Sequence, residues 1–318
     1  MEKLKKPLIL IAGPTASGKT STSVQLAKRI DGEIISVDSM QVYKRLDIGT
    51  AKVKEEEKEG IPHYMVDEFE PDFNASVAVF KERVNYYLNK IYAKGKVPIL
   101  VGGTGFYINA ILYDTEFIVT QEEHKYRDKV RNYLNDNGIE ALHTWLREID
   151  PESADTIHPN NTKRVCRAIE YFLENNEKIS THNKKEKEKR KDDESKYDYS
   201  LYVLNMDRDI LYDRINKRID IMIEEGLLEE AKMVYGMNLP SDAPAIKAIG
   251  YKELFPYFEN QMTLDECIEE LKKATRNYAK RQLTWFRNQT KSTFIDITGK
   301  SVDEVVDFII NNSSCLRK

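Results

Sequence analysis

The chain has 318 residues, of which 41% are hydrophobic and 32% are charged, and its formal net charge is −4. This length suits one large domain with an insertion or two domains, and no stretch approaches the roughly 20 apolar residues of a membrane span. Three separated cysteines without C-x-x-C spacing argue against a disulfide framework or a cysteine metal site.

The first predicted element is a short apolar strand, Pro7–Ala12, which lacks the character of a signal-peptide core, so we expect a cytoplasmic protein. It runs into Gly13-Pro14-Thr15-Ala16-Ser17-Gly18-Lys19-Thr20 and then into a helix predicted over Lys19–Ile30. This is the pattern G-x-x-x-x-G-K-[ST] in its strand–loop–helix context, where backbone N–H groups and the helix N-terminus bind phosphates. The loop predicts a di- or triphosphate site, with Lys19 on the outer phosphate and Thr20 holding Mg²⁺.

Two more strands are predicted at Glu33–Val37 and Val97–Val101, with a helix over Val77–Tyr92 between them. This alternation predicts an α/β fold, a P-loop NTPase-like parallel sheet flanked by helices. Ligands bind at the carboxyl ends of such strands. The P-loop, Asp38 and Thr104 each follow a strand, so we expect them to converge on one site.

Two of these features have an alternative structural explanation. Asp38 is either a helix N-cap or a holder of Mg²⁺ through water, and its place beside the P-loop favours a site role. The glycines of Gly102-Gly103-Thr104-Gly105 are typical of turns that need positive φ. The Thr104 hydroxyl among backbone amides is still well placed to bind an anionic oxygen.

The segment 113–196 is predicted to be a helical insertion, and residues 1–112 and 197–318 to form the catalytic core. Helical spacing covers Glu122–Asn135, Ile139–Ile149 and Lys163–Asn175. The run Lys184–Lys196 has seven positive and five negative side chains and no apolar one, which predicts a solvated or disordered linker. Lys163, Arg164 and Arg167 form either an exposed solvated face or a contact with a polyanion.

After a fourth strand, Tyr199–Met206, helices are predicted over Arg208–Met233 and Thr263–Lys291 and fill the rest of the chain. Residues 272–291 carry seven Lys or Arg and no acid, with most of the charges on one arc of a helical wheel. The opposite arc carries Leu271, Ala274, Tyr278 and Trp285, which we expect to face the core. This basic face predicts a surface for nucleic-acid phosphates, and Arg276 and Lys280 are the contacts we expect there.

Several stretches, in order along nearly the whole chain, resemble bacterial tRNA dimethylallyltransferases (tRNA isopentenyltransferases, the IPP transferase family). They are Gly13–Thr20, Asp38–Lys52, Ile61–Asp67, Val101–Tyr107, Ile157–Asn160, Arg164–Arg167, Ala248–Lys252 and Arg281–Arg287. Two departures are Tyr64, where many relatives have a second His, and the absence of the zinc finger of eukaryotic relatives.

The resemblance implies transfer of a dimethylallyl group from its diphosphate to N6 of the adenine 3′-adjacent to the anticodon, with release of diphosphate. It implies that Asp38 is the base at N6, that Thr104 contacts the reacting region, and that Lys19 and Thr20 with Mg²⁺ neutralise the leaving group. The remaining implied contacts are the rest of the P-loop and Arg218 for the diphosphate, and, for tRNA, Asp38, Ser39, Met40, Gln41, Thr104, Arg127, Lys163, Arg164, Val165, Cys166, Arg167, Lys247, Ala248, Ile249, Gly250, Tyr251 and Lys252.

Two other functions share parts of this pattern. A P-loop kinase of a nucleotide or small metabolite would use the same loop and sheet, but it gives no reason for the basic face at 272–291. A non-catalytic tRNA-binding module would need the basic faces but not Lys19, Asp38 and Thr104 together. The expected partners are tRNA and dimethylallyl diphosphate, without a membrane; a monomer is expected, although the sequence does not fix the oligomeric state.

Overall fold

A computed structural model describes residues 5–115, 123–191, 194–240 and 243–317 of the chain. The chain divides into two compact units, one containing the residues up to Leu112 together with those from Lys196 onward, the other Tyr113–Ser195. Among the described residues, no helix is both long and apolar enough to cross a lipid bilayer.

The first unit is built on one six-stranded sheet. Its strands are β1 (Lys6–Ala12), β2 (Gly32–Ser36), β3 (His63–Tyr64), β4 (Val97–Gly102), β5 (Tyr197–Asn205) and β6 (Thr293–Asp296). They lie in the order β3-β2-β4-β1-β5-β6, and each neighbouring pair is parallel. The predicted parallel α/β fold is therefore confirmed.

The described residues contain fourteen α-helices and a short 3₁₀ helix at Ser314–Leu316. The helices are α1 (Lys19–Ile30), α2 (Glu55–Lys58), α3 (Val77–Ala93), α4 (Gly105–Leu112), α5 (Glu123–Ile149), α6 (Pro151–Thr156), α7 (Thr162–Asn175), α8 (Ile179–Lys191), α9 (Arg208–Glu224), α10 (Leu227–Gly236), α11 (Pro244–Lys247), α12 (Phe255–Phe258), α13 (Leu264–Gln289) and α14 (Val302–Asn312). Helices α5 to α8 belong to the second unit.

The central strand β1 shows why the sheet forms where it does. Leu8, Ile9, Leu10 and Ile11 follow one another and are fully buried. Such a continuous apolar run is typical of a parallel strand that is covered on both faces, since alternate side chains point to opposite sides. Strands β1, β2 and β4 are neighbours in this sheet, so the loops that follow them lie at the same edge.

The second unit has its own apolar core. It contains Val130, Leu142, Leu146, Ala154, Val165, Ala168 and Ile169. Helix α5 is interrupted at Gly138, whose φ of 81° and ψ of 178° are not helical, so its halves correspond to the two helices predicted there. Glu122, where the first was predicted to begin, lies outside the described residues.

One buried carboxylate, Asp150, joins two helices of this unit. It accepts hydrogen bonds from the backbone N–H and hydroxyl of Ser153 at 3.2 and 2.7 Å and from those of Ser180 at 3.0 and 2.7 Å. Burial alone would raise the pKa of Asp150, but these hydrogen bonds outweigh it and hold the pKa below its ordinary value. Asp150 therefore caps the starts of both α6 and α8.

The predicted charged linker was wrong over most of its length, because α8 extends to Lys191. Three lysines of α8 form ion pairs within the unit, Lys184 with Glu152, Lys185 with Glu177 and Lys189 with Glu186, at 2.7, 2.6 and 2.9 Å. The mixed charges of this run support a helix, because its lysines pair with an acid three residues away on α8 or with acids of neighbouring segments. Residues 192–193 of the run lie outside the described part of the chain.

Two other predictions from the carboxyl-terminal half need correction. The helix predicted over Arg208–Met233 is two helices, because Gly226 has a φ of 104° and separates α9 from α10. Helices do not fill the rest of the chain, since β6 adds a parallel strand beside β5. Strand β6 has only four residues and only Ile295 is buried, so it lacks the apolar run that reveals β1.

Candidate functional site

The P-loop connects the end of β1 to the start of α1. Its backbone has φ values of 148° at Gly13, 62° at Ala16 and 75° at Gly18, all in the region that favours glycine. A Cβ atom at Gly13 would also lie 2.8 Å from the carbonyl oxygen of Leu204 on β5. Ser17 Oγ donates to Pro14 O at 2.8 Å. Close packing and an internal hydrogen bond thus fix the loop at the N-terminus of α1, where unpaired N–H groups and the helix dipole favour an anion.

Two adjoining pockets lie at this edge of the sheet. The polar pocket, of about 260 Å³, is lined by the P-loop residues from Thr15 to Thr20 and by Gly102, Gly103 and Gln282 among others. The apolar pocket, of about 470 Å³, includes Ile215, Ile219, Met222, Leu227 and Leu271 in its lining. Six residues border both pockets: Thr15, Asp38, Thr50, Ala51, Arg218 and Tyr278. The two pockets therefore adjoin beside the Asp38 carboxylate.

Asp38 both caps a turn and borders the two pockets. Its Oδ1 atom accepts hydrogen bonds from the backbone N–H groups of Met40 at 2.8 Å and Gln41 at 3.4 Å. Its Oδ2 atom has no hydrogen-bond partner among the described residues. Thr104 Oγ1 accepts from the backbone N–H of Ser39 at 3.3 Å. The structure thus places Thr104 next to the turn that Asp38 caps, although Thr104 is not in the lining of either pocket, and it leaves one carboxylate oxygen of Asp38 without a hydrogen bond to the described residues.

Two cations share the polar pocket. Lys19 Nζ donates to Pro14 O at 2.6 Å. Burial lowers the pKa of Lys19 to about 8; the negative charge of Asp38 opposes this shift, and the positive charge of Arg218 adds to it. Burial also lowers the pKa of Arg218, against the charges of Glu57 and Glu225. The nearby carboxylates thus do not offset the burial of either cation, and an anionic ligand in the pocket would supply the further negative charge.

The glycines at the end of β4 and just after it serve a different purpose from the one predicted. None of Gly102, Gly103 and Gly105 has a positive φ. A Cβ atom would instead lie 2.6 Å from the backbone of Val37 at Gly102, 2.0 Å from Gln282 Nε2 at Gly103, and 2.0 Å from the Trp285 ring at Gly105. These glycines are required by close approach of neighbouring elements and not by turn geometry.

The segment 247–252, predicted to contact tRNA, borders the apolar pocket. Lys247, Ala248, Ile249, Gly250 and Lys252 line it. Tyr251 is the exception, because its ring is fully buried and its hydroxyl donates to Glu230 Oε1 at 2.8 Å. Its predicted contact with RNA is thus not open to its side chain.

On α7, the predicted tRNA contacts divide by exposure. Lys163 and Arg164 are exposed, whereas Val165 is fully buried in the core of the second unit and Cys166 is half-buried. Arg167 is exposed but lies 3.5 Å from both Glu170 and Glu174. Of this segment, Val165 is the prediction that the structure corrects, because its side chain packs inward. Arg127 lies in the same unit, on α5.

The basic face predicted on α13 is only partly a free surface. Arg276 Nη1 donates to Asn216 Oδ1 on α9 at 2.6 Å, and Lys272 Nζ lies 2.9 Å from Asp220 on the same helix. Lys280 is exposed and borders a groove along α13. The start of the predicted face therefore packs against α9. Of the residues predicted to face the core, Leu271 is buried; the other buried residues of α13 are Cys267, Ala279, Gln282 and Phe286.

Sequence reasoning missed Tyr278 and Gln282 as site residues. Tyr278 borders both pockets, and burial together with the charge of Asp38 raises its pKa to about 12, so its hydroxyl stays protonated. Gln282 Nε2 donates to Gly103 O at 3.1 Å, and its Oε1 is buried without a partner among the described residues. The helical wheel placed Tyr278 on the core side; only the Arg281-to-Arg287 resemblance pointed to Gln282.

The polar pocket fits Mg²⁺ held mainly by a ligand's phosphates. Within the described ranges there is no cluster of three or more His, Cys, Asp or Glu that could form a protein cage for a metal. The pocket does contain the Thr20 hydroxyl and the Asp38 carboxylate. Mg²⁺ commonly keeps several waters and binds through one or two protein groups together with substrate phosphates.

Known proteins are similar to this chain in sequence and in structure. The family model "IPP transferase" matches residues 41–289. A tRNA dimethylallyltransferase of Bacillus cereus (strain 03BB102) is 48% identical over 309 residues, which cover 97% of this chain and 96% of that protein. The full-length tRNA isopentenylpyrophosphate transferase of Bacillus halodurans has a TM-score of 0.71 at 43% identity, covering 96% of each chain. A eukaryotic dimethylallyltransferase acting on tRNA has a TM-score of 0.78 at 28% identity, covering 98% of this chain and 77% of that one.

Proposed function

Because this chain belongs to the IPP transferase family, we propose that it transfers a dimethylallyl group from dimethylallyl diphosphate to N6 of the adenine 3′-adjacent to the anticodon of tRNA. It is a tRNA-modifying prenyltransferase. With tRNA as its substrate, the expected location is the cytoplasm. The observation that carries the proposal is the position of Asp38, which borders both the polar pocket with its two cations and the apolar pocket beside it.

The diphosphate of the donor fits the polar pocket. The P-loop amides and the N-terminus of α1 would bind its oxygens. Lys19 and Arg218 would neutralise the charge that grows on the leaving diphosphate. Mg²⁺, bound by the Thr20 hydroxyl and the phosphates, would supply further positive charge at the leaving group. No phosphoryl group is transferred, so the P-loop serves a leaving group.

The adenine of the tRNA fits the apolar pocket, whose volume of about 470 Å³ falls in the range of ordinary small-molecule sites. The base must leave its stack to enter, at a cost of a few kcal/mol that a single-stranded anticodon loop keeps low. N6 would then meet the allylic carbon where the two pockets adjoin, next to Asp38 and Tyr278, which line both.

The reaction replaces one bond with another. The C1–O bond to the diphosphate breaks, and its electron pair leaves with the diphosphate. The N6 lone pair forms the new C–N bond at C1. Asp38 takes the N6 proton, and such help from a general base is typically worth about 10²–10⁴-fold in rate. The Thr104 hydroxyl accepts from the N–H of Ser39, the residue after Asp38, and would contact the reacting region.

The test is an incubation with labelled dimethylallyl diphosphate or with γ-labelled ATP, each with and without bulk tRNA. We expect label in tRNA only from the prenyl donor, and nuclease mapping should place it on one adenine of the anticodon loop. Transfer of the γ-phosphate to a small acceptor would instead establish a kinase. Binding of tRNA without transfer from either donor would leave a non-catalytic tRNA-binding protein.

A further inference from the structure

One carboxylate outside the reacting groups, that of Glu230 on α10, accepts four hydrogen bonds. Oε2 accepts from the backbone N–H groups of Asp47 and Ile48, each at 2.9 Å. Oε1 accepts from the backbone N–H of Gly49 at 2.8 Å and from the Tyr251 hydroxyl at 2.8 Å. Three successive N–H groups that converge on one anion form a backbone nest, and hydrogen bonds to a charged acceptor are among the stronger ones in proteins.

The turn that Glu230 holds is also pressed against a second segment of the chain. A Cβ atom at Gly49 would lie 2.6 Å from the Tyr251 ring. Gly250, with a φ of 114°, packs so closely that a Cβ atom there would lie 2.9 Å from Gly49 O. The turn at 47–51 and the segment 247–252 therefore form one tightly packed unit, which we call the Glu230 clamp.

The Glu230 clamp contributes more residues to the lining of the apolar pocket than to that of the polar pocket. Gly49 and the segment 247–252, apart from the buried Tyr251, border the apolar pocket and are not part of the lining of the polar pocket. Only Thr50 and Ala51 of the clamp border both. The P-loop groups that would hold the diphosphate lie outside the clamp. Loss of the clamp should therefore disturb the pocket for the base more than the pocket for the diphosphate.

The clamp is also connected to Asp38. Gln41 Nε2 donates to Thr50 O at 3.3 Å and to Ala51 O at 3.1 Å. The backbone N–H of the same Gln41 donates to Asp38 Oδ1 at 3.4 Å. A shift of the turn at 47–51 would thus pass through one side chain to the carboxylate that we assign as the base.

We propose that Glu230 is a positioning residue for the tRNA substrate. Its charge sets the backbone that forms the wall of the apolar pocket, and through Gln41 it sets the turn that carries Asp38. This role rests on the proposed function, since it concerns how the adenine is presented to Asp38. If Glu230 had a purely structural role, it would make the same contacts, but its replacement would lower stability without a selective effect on either substrate.

The test is Glu230→Gln, which keeps the shape and places an NH₂ group against N–H or O–H donors in either orientation of the amide. When buried donors lose their acceptor, the cost lowers an affinity or a rate constant by roughly tenfold or more. We expect kcat/KM for tRNA to fall by about tenfold or more, with Kd for dimethylallyl diphosphate within about twofold of the wild type. Tyr251→Phe removes one hydrogen bond and keeps the ring, so its effect should be smaller and in the same direction.

Glu229→Gln is the matched control, because Glu229 is exposed on the same helix and borders neither pocket; it should behave as the wild type. All assays are run well below the Tm of each variant. Equal kcat/KM for tRNA in wild type and Glu230→Gln would overturn the inference, as would an equal loss of affinity for tRNA and for dimethylallyl diphosphate. A wild-type protein without prenyl transfer would instead overturn the proposed function, so the two failures are distinguishable.

Discussion

The affinity for dimethylallyl diphosphate should depend on pH through Lys19. Burial lowers the pKa of this side chain to about 8 in the free protein, so a rise from pH 7 to pH 9 converts most of the ammonium to the neutral amine. A bound diphosphate favours the charged form and raises the pKa of Lys19 again. Binding above pH 8 therefore requires uptake of a proton, and the affinity must fall as the pH rises.

The size of the effect follows from the position of that pKa. With a pKa of about 8 in the free protein, Kd should be level below pH 8 and about tenfold weaker at pH 9, continuing tenfold per unit until the pKa of the bound state is reached. Tyr278, whose pKa is about 12, stays protonated in this window. Equilibrium dialysis of labelled donor without tRNA, from pH 7 to 10 at constant ionic strength, measures the profile.

Lys19→Ala supplies the control for this profile. It should bind the donor weakly at every pH without the break near 8, and its kcat should fall by the equivalent of roughly 3–4 kcal/mol, because one preorganised charge at the leaving group is lost. A wild-type Kd that stays level to pH 10 would show that Lys19 keeps its ordinary pKa. The same break in Lys19→Ala would assign the titration to another group.

Three more predictions follow from other parts of the structure. Asp38→Asn should lower kcat by about 10²-fold or more with a much smaller change in tRNA affinity; an unchanged kcat with lost tRNA binding would make Asp38 a reader of the base. Lys280→Ala should reduce the slope of log K for tRNA against log [salt] by roughly 0.7–0.9, whereas Arg276→Ala should leave it nearly unchanged because its guanidinium is bound to Asn216; equal slopes for both variants would contradict this. Asp150→Ala removes two helix caps, each typically worth about 1 kcal/mol, so amide hydrogen exchange at the start of α8 should become faster, and wild-type exchange rates there would show that the serines cap without it.

The parts of the site that could be predicted from the sequence are those determined by local geometry. The P-loop is one continuous stretch whose conformation follows from its glycines and from the strand and helix at its ends, so Lys19 and Thr20 were assigned their places. Asp38 and Thr104 could be added because the ends of parallel strands share one edge of a sheet. Each of these inferences needs only the neighbouring residues and the topology.

The residues whose surroundings were not predicted from the sequence depend on contacts between distant elements. A helical wheel assigns faces to α13 but does not say which neighbour covers each face. Arg276 was expected to face RNA, yet Asn216 on α9 binds it, and Tyr278 was expected in the core, yet it borders both pockets. Glu230 gave no signal because its ligands are backbone N–H groups, which every sequence contains. The helix α8 was mistaken for a linker because composition does not show which acids its lysines face.

The close packing of the β4–α4 junction against α13 has a genetic consequence. A methyl group at Gly105 would overlap the ring of Trp285, and one at Gly103 would overlap the amide of Gln282. Gly105 can therefore be exchanged only if its ring partner becomes smaller, whereas an exchange at Gly103 requires the flexible Gln282 side chain to move away; a smaller partner alone would leave a cavity. The two positions of each pair are epistatic. A selection for revertants of Gly105→Ala should return changes at Trp285, so the history of this family would be expected to show the pairs changing together or not at all.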